Sequence, residues 1–190
     1  MTQAWVWAPA ARRRSRRSDS CSGSAAIQFA MIAPVLLLFL FGIIETGLIF
    51  FAQSNLQNAA DDTARMVRTG QVQTNAMTQT QYISAVCGEM TGLISSASCK
   101  SNMLVDMRSY STFASAQYAN VLRNNGTVNA NKLQFAAGGA CDIVLVRVFY
   151  PWTIMTPFMA PLLQNMPHGQ YLMTAAQAFR NEPYTSGASC

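Results

Sequence analysis

The sequence predicts an α+β protein, in which a long N-terminal transmembrane helix is followed by a small antiparallel sheet with covering helices. Three observations carry this expectation. No Asp, Glu, Lys or Arg occurs from Ser20 to Ile44, and the chain from Ile27 to Ala52 is almost continuously apolar. About 20 such residues suffice to cross a bilayer as a helix. Downstream, Met103, Val105 and Met107 alternate with polar neighbours, Ile143–Tyr150 is a run of β-branched and aromatic residues, and Tyr171, Met173, Ala175 and Phe179 alternate with Thr174 and Arg180, which are signatures of strands. Between these lie apolar residues at helical spacing: Tyr82, Ile83, Val86, Cys87 and Met90.

Charge is sparse and localised. Only 11% of residues are charged and 51% are hydrophobic, a bias that a membrane segment produces. The net charge of +5 comes from one place, since Arg12, Arg13, Arg14, Arg16 and Arg17 lie together just before the apolar run. The remainder is near neutral and offers no broad basic face for nucleic acid. Positive residues resist translocation, so this leader is expected in the cytoplasm and the C-terminal part outside. The expected domains are therefore 1–23, an Arg-rich cytoplasmic leader; 24–69, the transmembrane helix and its external extension; 70–77, a linker; and 78–190, an external α+β domain.

A cleaved secretory signal is the competing explanation, with a small-x-small triplet at Ala52-Gln53-Ser54. Signal peptides carry an apolar region of about 7–15 residues, however, and this run is far longer. The Arg16-Arg17 pair is followed by Ser18-Asp19-Ser20 rather than by an apolar start, which argues against twin-arginine export.

Within the span, Pro34 removes one helix hydrogen bond and is expected to kink the helix. Glu45 is the first charge met in the run. Starting the span near Ala25 puts Glu45 about 30 Å along, at the outer interface. Two readings of Glu45 stay open: a buried partner for a positive group on a neighbouring subunit, or a carboxylate in contact with water. Leu56, Ala59, Ala60, Thr63 and Val67 continue the helical spacing, Asp61 and Arg65 are four apart, and Gly70 is a stop signal.

In the external part, Gln71–Asn75 is polar and reads as linker. Thr78 or Thr80 is placed to cap the helix that holds Tyr82, with Gly92 closing it. Asp106 and Arg108 fall on the polar side of the first strand. Phe113, Ala116 and Ala119 or Asn120 suggest a short helix, and Asn124-Asn125-Gly126 a turn. Ile143–Tyr150 is expected to be the central strand, ended by Pro151. Thr156-Pro157 is expected to open a short apolar helix reaching Leu163. Trp152, Met155, Phe158 and Met159 make either core or an exposed docking patch, with core favoured.

Of five cysteines, Cys87, Cys99, Cys141 and Cys190 follow the span and Cys21 precedes it. An even set on the exported side reads as up to two disulfides, with three connectivities open. Cys87 could bridge to Cys99 and Cys141 to Cys190. Metal ligation would need closer pairs or a nearby histidine, and the only histidine is His168. No Gly-x-Ser-x-Gly, His-Glu-x-x-His or phosphate-binding Gly-x-x-x-x-Gly-Lys motif is present. No catalytic residue, metal site, cofactor or small-molecule substrate is therefore expected.

Gly23-Ser24-Ala25-Ala26-Ile27-Gln28-Phe29, Ala33-Pro34, the apolar run to Gly42-Ile43-Ile44-Glu45, and Leu56-Gln57-Asn58-Ala59-Ala60-Asp61 together resemble the TadE-like family. That family comprises pseudopilins of the bacterial tight-adherence (Tad/Flp) pilus assembly system. The likeness extends to Asp142–Val148, Tyr150-Pro151-Trp152 and Phe179–Pro183. The resemblance implies a pilin-like head and a single-pass protein of the bacterial inner membrane. It also implies cleavage by a prepilin peptidase between Gly23 and Ser24. The implied partners are other pilin-like subunits, pilus assembly membrane proteins, the peptidase and the lipid bilayer. In the family a glutamate follows the cut by five residues and pairs with a neighbouring subunit's new amine; here that position is Gln28, followed by the expected aromatic Phe29. Gln28 hydrogen-bonds but carries no charge, which keeps an uncleaved membrane-anchored binding or scaffold module as the alternative. An exported enzyme is the third reading and would need a cluster formed only by folding.

Overall fold

The computed structural model describes residues 22–190, apart from Thr91, Leu93, Ser186 and Ala188. The arginine cluster and Cys21 lie outside the described residues. Helix α1 spans Ser22–Arg68, with Pro34 inside it and Arg65 and Arg68 in its last turn, where cations favour the helix dipole. The chain divides into two units after Phe39. From Gly23 to Phe39 the α1 side chains are exposed, Ala33 being half-buried.

The second unit holds the rest of α1 and the head. Along this part of α1 the buried positions are Gly42, Glu45, Ile49, Ala52, Leu56, Ala59 and Thr63. Their spacing alternates three and four, a seven-residue repeat that keeps one narrow seam facing a partner surface. Ala60, Ala64 and Val67 widen the seam towards the C-terminus. Small residues let the head's backbone approach closely, while Ile49, Leu56 and Val67 each contribute about 1.5–3 kcal/mol by burial.

Gly70, at φ +80°, turns the chain out of α1, a left-handed conformation that glycine adopts without a Cβ penalty. A Cβ there would also collide with the Tyr184 ring. The expected linker instead contains a one-turn helix, α2 (Gln71–Thr74), whose Val72 enters the core. Thr78 caps α3 (Gln79–Glu89), accepting from the Gln81 N–H while Gln81 accepts back from the Thr78 N–H, a capping box. A further helix, α4 (Ser96–Asn102), capped by Ser95, had no apolar periodicity to announce it.

Strands β1 (Leu104–Tyr110), β2 (Ile143–Thr153) and β3 (Gln170–Arg180) form one antiparallel sheet in the order β1-β2-β3. The expected fold class, a long apolar helix followed by a three-stranded antiparallel sheet with helices, is what the chain adopts. β2 is central, as expected, but it continues through Pro151 to Thr153. β1 stops opposite Phe149, so at Pro151 one side of β2 is an edge, and a residue without an N–H is tolerated there.

β2 is buried on both faces. Val144, Val146, Val148, Tyr150 and Trp152 join Val105, Met107, Met173, Ala175, the α1 seam and α3 in one core. Ile143, Leu145, Arg147 and Phe149 occupy the opposite face and are buried as well. The Phe113–Asn120 helix is reduced to a single 3-10 turn, Phe113–Ser115, capped by Thr112. The helix expected from Thr156 is only α5 (Ala160–Leu163), because Thr156 is engaged elsewhere. Asp61 and Arg65 form no ion pair; Asp61 accepts instead from Gln57 and Gln177.

The structure forms two disulfides, Cys87–Cys99 and Cys141–Cys190. The first joins α3 to α4. The second pins the C-terminal segment beside the start of β2, near which Glu182 donates its N–H to the Arg68 carbonyl and pairs with the Arg68 guanidinium.

Candidate membrane and assembly surface

The surface that stands out is apolar and helical. Gly23, Ser24, Gln28 and Phe29, the residues of the expected peptidase site, lie exposed in the first turns of α1. From Ile27 to Ile44 most large apolar side chains of α1 are exposed, including Phe29, Phe39 and Phe41. α1 is long and apolar enough to cross a membrane, and such a helix satisfies its backbone groups internally except at its two ends and near Pro34. It is a candidate single-pass anchor.

Glu45 occupies neither of the two places expected of it. Its side chain is 2% exposed, and the positive groups that bind it are its own chain's peptide dipoles. Oε1 accepts from the Met155 N–H at 3.1 Å, and Oε2 accepts from the Thr156 N–H at 3.1 Å and the Thr156 hydroxyl at 3.0 Å. A carboxylate satisfied by three donors is stable in a buried place. This clasp ties the turn after β2 to α1, which is why Thr156 does not cap a helix. Met159 packs beside Gly42, where an added Cβ would meet its Cε at 3.2 Å. The four residues weighed as core or patch therefore divide: Trp152 is buried and Met159 partly so, while Met155 and Phe158 are exposed.

The buried charges form a second cluster, on the face of the sheet opposite α1. Asp106, expected on a solvated face, is 0% exposed. Its carboxylate accepts from Arg147 Nη2 at 2.6 Å, from Arg108 Nε at 3.0 Å and from the Gln134 N–H at 2.9 Å. Burial alone would push the Asp106 carboxyl up; these hydrogen bonds, from Arg108, Arg147 and Gln134, outweigh it and hold the group below its ordinary 3.8. The Arg147 guanidinium also donates to the Ala119 carbonyl and lies near the rings of Tyr118 and Phe149. Arg108 also donates to the Lys132 carbonyl, so the cluster fastens the segment after β1 onto the sheet. Its signal in the sequence is Arg147, a lone charge inside an apolar strand, which demands a partner.

Tyr82 is fully buried and donates its hydroxyl to Thr63 Oγ1 at 3.2 Å, linking α3 to the α1 seam. Burial raises its ionisation to about 12, against a smaller opposing effect of the Thr63 hydrogen bond. His168 sits exposed at φ +64° in the turn before β3. Among the described residues no group of three or more His, Cys, Asp or Glu is placed to hold a metal. Open grooves along the C-terminal half of α1 are lined by Asp61, Arg65, Arg68 and Gln177, and by Asp62, Gln71 and Glu89. These are shallow, mixed-charge surfaces.

Residues 23–65 match the family model described as TadE-like protein. The match covers most of α1 and stops before the head begins, and it is to the family that the sequence resembles. No curated protein and no solved structure matches the chain.

Proposed function

We propose that this chain is a non-enzymatic, pseudopilin-like membrane subunit that takes part in assembling a Tad/Flp-type pilus. In this reading α1 crosses the bacterial inner membrane once, with the arginine leader in the cytoplasm and the disulfide-bonded head outside. A prepilin peptidase removes the leader between Gly23 and Ser24, and the exposed apolar side of α1 then packs with lipid and with the helices of other pilin-like subunits.

The observation that carries the reading is the TadE-like match at 23–65 on a helix whose apolar side chains are exposed from Ile27 to Ile44. A helix that is apolar all round and uncovered by its own chain requires a nonpolar surrounding. The orientation rests on the arginines, and the head's two disulfides suit an oxidising compartment. Assembly through helix packing needs no catalytic group.

Gln28 supports a second reading, an anchor that is never cut and that serves as scaffold or receptor. The two separate by intact mass and N-terminal sequence of the protein purified from its native host. A mature chain beginning at Ser24 is expected. Retention of Arg12–Arg17 would transfer the assignment to the uncleaved anchor. A start near Ser54 would sink both, and it would also strip Gly42, Glu45, Ile49 and Ala52 from the folded core.

A further inference from the structure

The turn that Glu45 holds carries a second apolar surface, on the head rather than on α1. We propose that Met155, Phe158 and Leu162 seat the head on the bilayer, inserting at the boundary between headgroups and acyl chains on the head's side of the membrane. The inference rests on the reading of α1 as a transmembrane helix.

Depth comes first. The turn is bonded to Glu45 through the Met155 and Thr156 N–H groups, and Met159 packs beside Gly42. It therefore lies at the level of residues 42–45 of α1. That level is about 30 Å along a span begun near Ala25, the thickness of the hydrocarbon core. A turn fixed at this height meets the interface.

The side chains suit that location. Phe158 is 79% exposed, Leu162 76% and Met155 65%, while Trp152 and Ile154 just before them are buried. Exposed apolar residues Phe41, Ile43 and Ile44 of α1 flank the same level. From Val148 to Phe179 there is no Asp, Glu, Lys or Arg, so no fixed charge on this stretch opposes entry.

The backbone suits it too. An irregular segment enters an apolar medium at low cost only if its N–H groups are satisfied. Those of Met155 and Thr156 go to Glu45, and those of Met159, Ala160, Leu162 and Leu163 go to carbonyls within the turn and α5; the Phe158 N–H has no acceptor among the described residues and is left to headgroup oxygens or water at the boundary. Pro157 and Pro161 have none to satisfy. Glu45 in turn presents no bare carboxylate to lipid. Large apolar side chains on a segment lying in the interface are how peripheral elements hold to a bilayer surface.

Site-specific fluorescence tests this on the full chain. With Cys21→Ser as background, single cysteines at Phe39, Tyr118, Phe158 and Leu162 are labelled with an environment-sensitive dye. The protein is reconstituted into phosphatidylcholine–phosphatidylglycerol vesicles carrying nitroxide lipids, either shallow or deep. Labels at 158 and 162 are expected to emit to the blue of the exposed label at 118 and to lose most of their emission to the shallow nitroxide. The label at 39 is expected to respond to the deep one. Water-like, unquenched emission at 158 and 162 with normal quenching at 39 would overturn the seating while leaving the span intact. Loss of quenching at 39 as well would overturn the span itself. Blue-shifted but unquenched labels at 158 and 162 would mean that a protein covers this surface, and would also overturn the proposal.

Discussion

At the scale of single residues, the head is held by side chains that satisfy backbone groups at a distance. Glu45→Ala removes the acceptor for two N–H groups and a hydroxyl at once, and an orphaned buried donor costs about 1–3 kcal/mol. The expected result is a lower melting temperature in detergent, by roughly 5–10 °C, since about 1 kcal/mol moves a protein of this size by ~2–4 °C. Glu45→Gln, which keeps one acceptor oxygen, should fall between. An unchanged melt for Glu45→Ala would show that the clasp contributes nothing. Asp106→Asn leaves Arg147 buried without its counter-charge, a loss of about 3–5 kcal/mol at neutral pH. The sign of the pH effect follows from the direction of its shift. Because the folded group titrates below its ordinary 3.8, its stabilisation is present above that value and fades as pH falls through the lower folded value. The gap between wild type and Asp106→Asn in denaturant unfolding should therefore narrow as pH drops below about 4; a gap that stays constant would contradict the assignment. Neither residue's role could be read from its neighbours in sequence. Glu45 finds its donors more than a hundred positions away, and Asp106 looked solvated because alternation reports on one strand and not on the chain that covers it.

Among the elements, those with strong local signals form as their sequence dictates. Thr78 with Gln81 at the start of α3, the apolar run of β2, and the alternation that ends in Phe179 are all local patterns, and the elements follow them. α4 is short, polar and rich in serine, so it owes its shape to the Ser95 cap and to Cys99 rather than to periodicity. α5 is shorter than its Thr-Pro signal suggested because a tertiary bond competes for Thr156. The disulfides bear on elements too. Loop-closure entropy assigns about 3 kcal/mol to a cross-link over a 12-residue separation and about 4 kcal/mol over 49. Paired Ser substitutions should thus weaken guanidinium resistance more at Cys141/Cys190 than at Cys87/Cys99. The reverse order would show that the native ensemble, not the unfolded chain, controls the effect.

For the whole molecule, the division after Phe39 makes a prediction about what can be removed. A chain beginning at Leu40 keeps the entire seam and should unfold cooperatively by circular dichroism, although its exposed Phe41, Ile43 and Phe158 call for mild detergent. A chain beginning at Gln57 loses Ile49, Ala52 and Leu56 from the core and the buried Glu45 with its hydrogen bonds, each large apolar loss worth about 2–5 kcal/mol, and should not fold. Equal folding of the two would refute the seam as a structural element. The apolar run alone reads as membrane from end to end. Its last third has one side covered by the head and the other exposed, and the sequence shows this only once Gly42, Glu45, Ile49 and Ala52 are seen to continue the same seven-residue repeat as Leu56, Ala59 and Thr63.

That shared helix also imposes an order in time. Ribosomes make the seam first and the strands that cover it last, for β2 and β3 follow it by some eighty residues and more. Until Val144 and then Met173 have been synthesised, Leu56 and its neighbours lack most of the sheet that completes their core, and Cys141 must wait longer still for Cys190. The newborn chain thus passes through an interval in which its sticky stripe is bare, and that interval closes only when β3 arrives.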